Sequence, residues 1–145
     1  DAQTCWLVER SLKTIVLRVR QQNANAMAIA QFLASEPKIS KVYYPGLTTH
    51  PDHSIAKNQM RGGFGGMLSF EVKADAHAFM DKLRLIKRAI SLGGVESTAT
   101  SPAKTSHVKM SAADREAIGV TDKLVRLSVG IEDIQDLLDD IKQAL

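Results

Sequence analysis

"KLVRLSVG", residues 123–130, is the stretch from which the fold of this chain can be read. Val125, Leu127 and Val129 alternate with Leu124, Arg126 and Ser128, the period-2 pattern of a strand whose two faces meet different surroundings. The chain then turns into "IEDIQDLLDDIKQAL" (131–145). Ile131, Ile134, Leu138, Ile141 and Leu145 fall on one helical face, with Glu132 and Asp133 in the first turn and Lys142 near the end, as the helix dipole favours. A strand with one apolar face followed by an amphipathic helix predicts a sheet covered by helices.

Working back along the chain, the same unit recurs. "MLSFEVK" (67–73) sets Leu68, Phe70 and Val72 against Met67, Ser69 and Glu71. "ISKVYYPG" (39–46) is a short strand closed by a Pro-Gly turn, and "KRAISL" (87–92) is another strand. Between them, "THPDHSIAKNQM" (49–60) offers a turn and one or two helical turns. "DAHAFMDKLRLI" (75–86) predicts a helix capped by Asp75, with Phe79, Met80 and Leu83 at helical spacing. "SAAD" (111–114) has the form of a helix start.

The chain opens with a long helical pattern over residues 1–36, which Pro37 must end. Leu12, Ile15, Val16, Val19, Ala26, Met27, Ala30 and Leu33 form its apolar stripe, and Arg10, Lys13, Arg18 and Arg20 occupy the rest of the circumference. This helix is longer than a small sheet needs, so its overhang is expected to pack against something outside the stretch. The element order predicts an α+β fold of two layers: about four mostly antiparallel strands with helices on one side, preceded by a long linking helix.

Composition narrows the classes. The chain has 145 residues, 44% of them hydrophobic and 24% charged, enough for one domain with a core. The net charge of +3 does not point to nucleic acid, because no aromatic residues alternate with the basic ones as a stacking platform requires. No apolar run reaches membrane-spanning length and no leader pattern opens the chain, so neither a membrane nor an export role is expected. A single cysteine, Cys5, fits a reducing cytoplasm, and one cysteine with four scattered histidines gives no metal-ligand spacing.

The candidate site residues have competing readings. "RGGFGG" (61–66) precedes a strand rather than a helix, which makes it a turn or bulge and not a phosphate cradle. "AISLGGVESTATSPAKTSH" (89–107) reads as a long irregular loop that contributes little to a core, ending in His107, a hydrogen-bonded histidine or a general base. Arg126 interrupts a well-patterned strand, where an unpaired guanidinium would be costly if buried. It either pairs with an internal acid such as Glu71 or Glu96, the simpler reading by spacing, or forms a bidentate clamp for a ligand carboxylate.

Several of these segments resemble one family in the same order. "VYYPGLTTHPDH" (42–53), "GGMLSFEV" (65–72), "SLGGVES" (91–97), "SPAKTSH" (101–107) and "VRLSVGIEDIQDLLDDIKQAL" (125–145) are similar to the C-terminal domain of the transsulfuration enzymes, the pyridoxal-phosphate-dependent enzymes of cysteine and methionine metabolism. The resemblance implies the small domain of a fold-type I enzyme. Residues 1–36 would be the link to a preceding cofactor-binding domain, and 37–145 the domain that holds the substrate carboxylate. It implies Arg126 as the main carboxylate anchor and Ser91 as its helper. Ile90 and Leu92 beside them are implied as further substrate-binding residues, and Ser106 as the border of the cofactor pocket.

The Schiff-base lysine of pyridoxal 5'-phosphate would lie in the preceding domain, so no catalytic residue is expected here and this stretch alone is expected to be inactive. Implied partners are a sulfur-containing amino-acid substrate, the chain's own N-terminal domain and sister copies in a homotetramer. The implied reactions are β- or γ-elimination, or γ-replacement, on cystathionine or an O-acylhomoserine. Ile90 stands where cystathionine enzymes often carry glutamate, which keeps methionine γ-lyase as an alternative, whereas "GGVES" favours the cystathionine enzymes. Thr100 replaces a residue that is often acidic, and Lys104-Thr105 replaces a commoner Ser-Met pair. A stand-alone carboxylate-binding module is the non-enzymatic alternative.

Overall fold

A computed structural model describes residues 1–145. The alternating segments form strands β1 (Ile39–Tyr43), β2 (Met67–Val72), β3 (Lys87–Arg88), β4 (Thr98–Thr100) and β5 (Leu124–Ser128). They make one sheet in the order β1-β2-β5-β4-β3. Every neighbouring pair is antiparallel except β3 and β4, which run parallel. Five strands therefore replace the expected four. The additional strand, β4, lies inside the segment read as an irregular loop. Its Thr98, Ala99 and Thr100 are buried, as are Ser97, Ser101, Pro102 and Ala103 beside it. Two β-branched threonines flanking Ala99 are the local signal for that strand. The polar flanks hid it.

Helices α1 (Ala2–Leu12), α2 (Ile15–Ser35), α3 (His53–Gln59), α4 (Ala76–Lys82), α5 (Ala112–Ala117) and α6 (Ile134–Ala144) complete the chain. Leu68, Phe70 and Val72 of β2 join Ala99, Val125, Leu127 and the adjacent Val129 in one core with α2, α4 and α6. The helices contribute Ala26, Ile29, Ala30 and Leu33, then Phe79 and Met80, then Leu137, Ile141 and Ala144. Phe70 and Phe79 meet edge to face at 5.6 Å, a favoured aromatic geometry. No helix is long and apolar enough to cross a membrane.

The opening helix differs from the single element expected over 1–36. It breaks at Lys13 and Thr14, because side chains take up the carbonyl of Ser11: Nη2 of Arg18 donates to it at 2.7 Å and the Thr14 hydroxyl approaches from 3.5 Å. Its apolar stripe also divides. Ala26, Ala30 and Leu33 lie in the core, while Leu12, Ile15, Val16 and Val19 are exposed. The second half of the helix is thus integral to the domain.

The last helix starts later than its sequence pattern suggested. Asp133 is the cap, accepting from the Gln135 amide, and the buried face is Leu137, Asp140, Ile141 and Ala144, leaving Ile131 outside. Asp75 caps α4 through the Ala78 amide, as expected. Ser111 caps α5, accepting from the Asp114 amide and donating to its carboxylate. "RGGFGG" is a turn: Gly62, Gly63 and Gly65 all have positive φ, and Asn23 of α2 bridges it, donating to the Gly62 carbonyl and accepting from the Gly65 amide.

Candidate functional site

The face of the sheet turned away from the core helices carries the alternate residues of the strands. At its centre Arg126 of β5 sits opposite Ser69 of β2 on one side and Thr100 of β4 on the other. Further along the same face, Glu71 accepts from the Tyr43 hydroxyl at 2.9 Å, and the Lys41 ammonium lies 4.6 Å from the centre of the Tyr43 ring. Burial, reinforced by the Glu71 carboxylate, raises the Tyr43 phenol above its ordinary pKa.

The pairing of Arg126 with Glu71 or Glu96 is absent. The three ion pairs of the chain are Lys13–Glu9, Arg88–Asp81 and Arg115–Asp122. Glu71 is committed to Tyr43, and Glu96 is exposed on its loop. Instead Nη2 of Arg126 donates to the Ile90 carbonyl at 2.9 Å, and Nε is buried without any partner. A half-buried guanidinium with an unsatisfied N–H is an open demand for an acceptor. It faces a cleft of about 520 Å³ lined by Arg126, Ile90, Thr105 and Ser106.

Ile90 and Ser106 thus join Arg126 around one cleft. Ile90 is 72% exposed and presents an apolar wall. Ser106 hydrogen-bonds Nδ1 of His107 at 2.8 Å, so that histidine is held by its neighbour. Ser91 and Leu92 do not line the cleft. They are exposed on the adjoining loop, where the Ser91 carbonyl accepts from the Thr98 hydroxyl at 2.8 Å. No cluster of three or more His, Cys, Asp or Glu side chains is assembled anywhere in the chain.

What fixes that loop was not read from the sequence. The Gly93 amide donates to the Ser128 hydroxyl at 2.9 Å, Nε2 of Gln22 donates to the Gly94 carbonyl at 2.7 Å, and the Ile131 amide donates to the Val95 carbonyl at 2.9 Å. Glu132, expected to serve the helix dipole, accepts from both the amide and the hydroxyl of Ser97. Asn25 of α2 completes the anchor, donating to the carbonyls of Gly130 and Glu132. Two successive acids at a helix start were the available signal, since only one of them can be the cap.

Known proteins share this architecture. Residues 1–145 match the family of Cys/Met metabolism PLP-dependent enzymes. Cystathionine beta-lyase of Lactococcus lactis is 51% identical over 146 residues, covering 99% of this chain and 38% of that protein. Cystathionine gamma-lyase of Bos taurus is 49% identical over 97% of this chain and 35% of its own length. The crystal structure of a cystathionine gamma-lyase (CalE6) from Micromonospora echinospora superposes with a TM-score of 0.95 at 41% identity, over 100% of this chain and 38% of the other. The chain therefore spans little more than a third of the length of these relatives.

Proposed function

Because the chain belongs to the Cys/Met metabolism PLP-dependent enzymes, we propose that it is the C-terminal, substrate-carboxylate domain of a transsulfuration enzyme. Its substrates would be cystathionine or an O-acylhomoserine, processed by β- or γ-elimination or by γ-replacement. The observation that carries this reading is the Arg126 guanidinium, which lines a cleft, has no acidic partner and leaves its Nε without a hydrogen-bond partner. A carboxylate supplies two acceptor oxygens in the plane a guanidinium requires.

In this reading Arg126 binds the α-carboxylate of the amino acid, and its bond to the Ile90 carbonyl keeps the guanidinium from swinging. We assign the Ser91 hydroxyl, exposed on the adjoining loop that Ser128, Gln22 and Glu132 hold in place, as the second group for the same carboxylate. Fixing that end of the substrate orients the bonds at its Cα, an entropic contribution of up to several kcal/mol. Pyridoxal phosphate, when bound, supplies an electron sink for those bonds. The cleft's guanidinium and hydroxyls fit a carboxylate and include no amine to condense with an aldehyde. We therefore place the cofactor's attachment in a preceding fold-type I domain joined through residues 1–36, with Ser106 at the border. A homotetramer in the cytoplasm is the setting we propose.

Purified full-length enzyme carrying this chain tests the reading. It is expected to bind pyridoxal phosphate with a reducible aldimine absorbance and to release an oxo-acid from cystathionine. The exposed aliphatic Ile90 at the cleft favours one other reading, methionine γ-lyase. Methanethiol release from methionine without turnover of cystathionine would replace the first reading with the second.

A further inference from the structure

A second pocket adjoins the Arg126 cleft, and nothing in the proposed function uses it. Its volume is about 240 Å³, and Ile90 and Thr105 belong to the walls of both cavities. Thr100, the register partner of Arg126, lines it too. It sits at the end of the sheet where β3, β4 and the turn Pro102–Lys104 meet α4.

The chemistry of this pocket is cationic. Arg88 and Lys104 both line it. Arg88 is held in place by Asp81 and donates to Nδ1 of His77 at 3.1 Å. Lys104 takes part in none of the chain's ion pairs and has no side-chain hydrogen bond. The Ser101 hydroxyl is an independent second feature: Ser101 is 2% exposed, lines the pocket, and its Oγ has no hydrogen-bond partner. Buried hydroxyls are almost always satisfied, so an orphaned one in a pocket that an exposed, unpaired lysine also lines leaves room for a missing acceptor. A carboxylate supplies that acceptor and also neutralises the lysine.

We infer that this pocket is the subsite for an anionic group at the far end of the substrate, with Lys104 and the Ser101 hydroxyl as its recognising groups. The inference rests on the proposed function and sharpens it. A substrate anchored by its α-carboxylate at Arg126 extends past Ile90 and Thr105, and the pocket behind them rewards a second negative charge. Cystathionine and O-succinylhomoserine carry such a distal carboxylate. Methionine and O-acetylhomoserine do not.

The test uses the full-length enzyme, with turnover of O-acetylhomoserine as the internal reference. Lys104→Met is expected to raise KM for cystathionine or O-succinylhomoserine, relative to KM for O-acetylhomoserine, by about tenfold, the loss of one charge-assisted hydrogen bond. The ratio of kcat values between the substrates should stay put. Lys104→Arg should restore most of the discrimination. Ser101→Ala, which removes only the orphaned hydroxyl, should shift the same ratio in the same direction by a smaller factor. A shift for cystathionine alone assigns the pocket to the distal amino acid, and a shift for both dicarboxylates assigns it to any distal carboxylate. Equal effects on all substrates, or no effect, would overturn the subsite while leaving the proposed function standing. A parent enzyme that turns over none of these substrates would overturn the proposed function and the subsite with it.

Discussion

Nη2 of Arg126 donates a 2.9 Å hydrogen bond to the carbonyl of Ile90, tying the middle of β5 to a residue 36 positions earlier in the chain. Ile90 lies two residues beyond β3, which β4 separates from β5 in the sheet, so the contact ties β5 to the chain leaving the edge strand. It fixes the guanidinium against the segment that leads into the Ser91 loop. The remaining anchors of that loop yield the first two predictions.

Glu132→Ala should leave the Ser97 amide and hydroxyl without their acceptor, although Ser97 is 1% exposed. A buried donor stripped of its partner costs about 1–3 kcal/mol. Urea unfolding of the variant is expected to show that loss, and amide hydrogen exchange over residues 91–97 should accelerate more than exchange in β2. Unchanged protection across the loop would mean that Glu132 does not anchor it.

Gly130→Ala should be the more damaging change. A methyl group on Gly130 would overlap the Val95 carbonyl oxygen and the Glu132 carboxylate, and the carbonyl belongs to backbone that cannot swing aside. Overpacking of this kind costs about 1–3 kcal/mol, and the upper end is expected because the loop must shift as a unit. A thermal melt of the variant within error of the parent would contradict the packing described.

Asp140 sets a pH dependence. Removal from solvent pushes its carboxyl up. Hydrogen bonds from the amides of Ile86, Arg84 and Leu85, with one from Gln143, outweigh this and hold it below its ordinary value. A folded-state pKa below the unfolded one adds stability that is present above the unfolded value, about 4, and is lost as pH falls through the folded value. Asp140→Asn is therefore expected to lower stability at neutral pH and to flatten the acid limb of the stability profile. Parallel acid limbs for variant and parent would contradict this.

The parts of the fold that were legible in sequence are those where pattern and burial coincide. Leu68, Phe70 and Val72 are buried as their alternation demands, and Val125, Leu127 and Val129 likewise. Thr98–Thr100 defeated the same reasoning, because a strand buried on both faces shows no alternation and its threonines look like loop residues. Arg126 was conspicuous as a charge within an apolar strand, but its partner was not readable. Pairing with Glu71 depends on where the Tyr43 hydroxyl lies, which only cross-strand register determines. Asp140 and Glu132 escaped for a related reason. Each holds backbone amides distant in sequence, and no spacing rule links them to those amides.

The central claim is that Arg126 holds the substrate carboxylate, and steady-state kinetics of Arg126→Leu in the full-length enzyme, with a thermal melt on the same preparation, tests it most directly. Loss of a charge-assisted hydrogen bond costs about 1.5–3 kcal/mol, and a desolvated bidentate pair costs more. A fall in kcat/KM of at least roughly ten- to a few hundred-fold is predicted, with cofactor absorbance intact and the melt nearly unchanged. Arg126→Lys should recover only part of it, because a point charge lacks the two-pronged geometry. A kcat/KM within about twofold of the parent, accompanied by a lowered melting temperature, would contradict the claim and leave Arg126 as a structural element of the sheet.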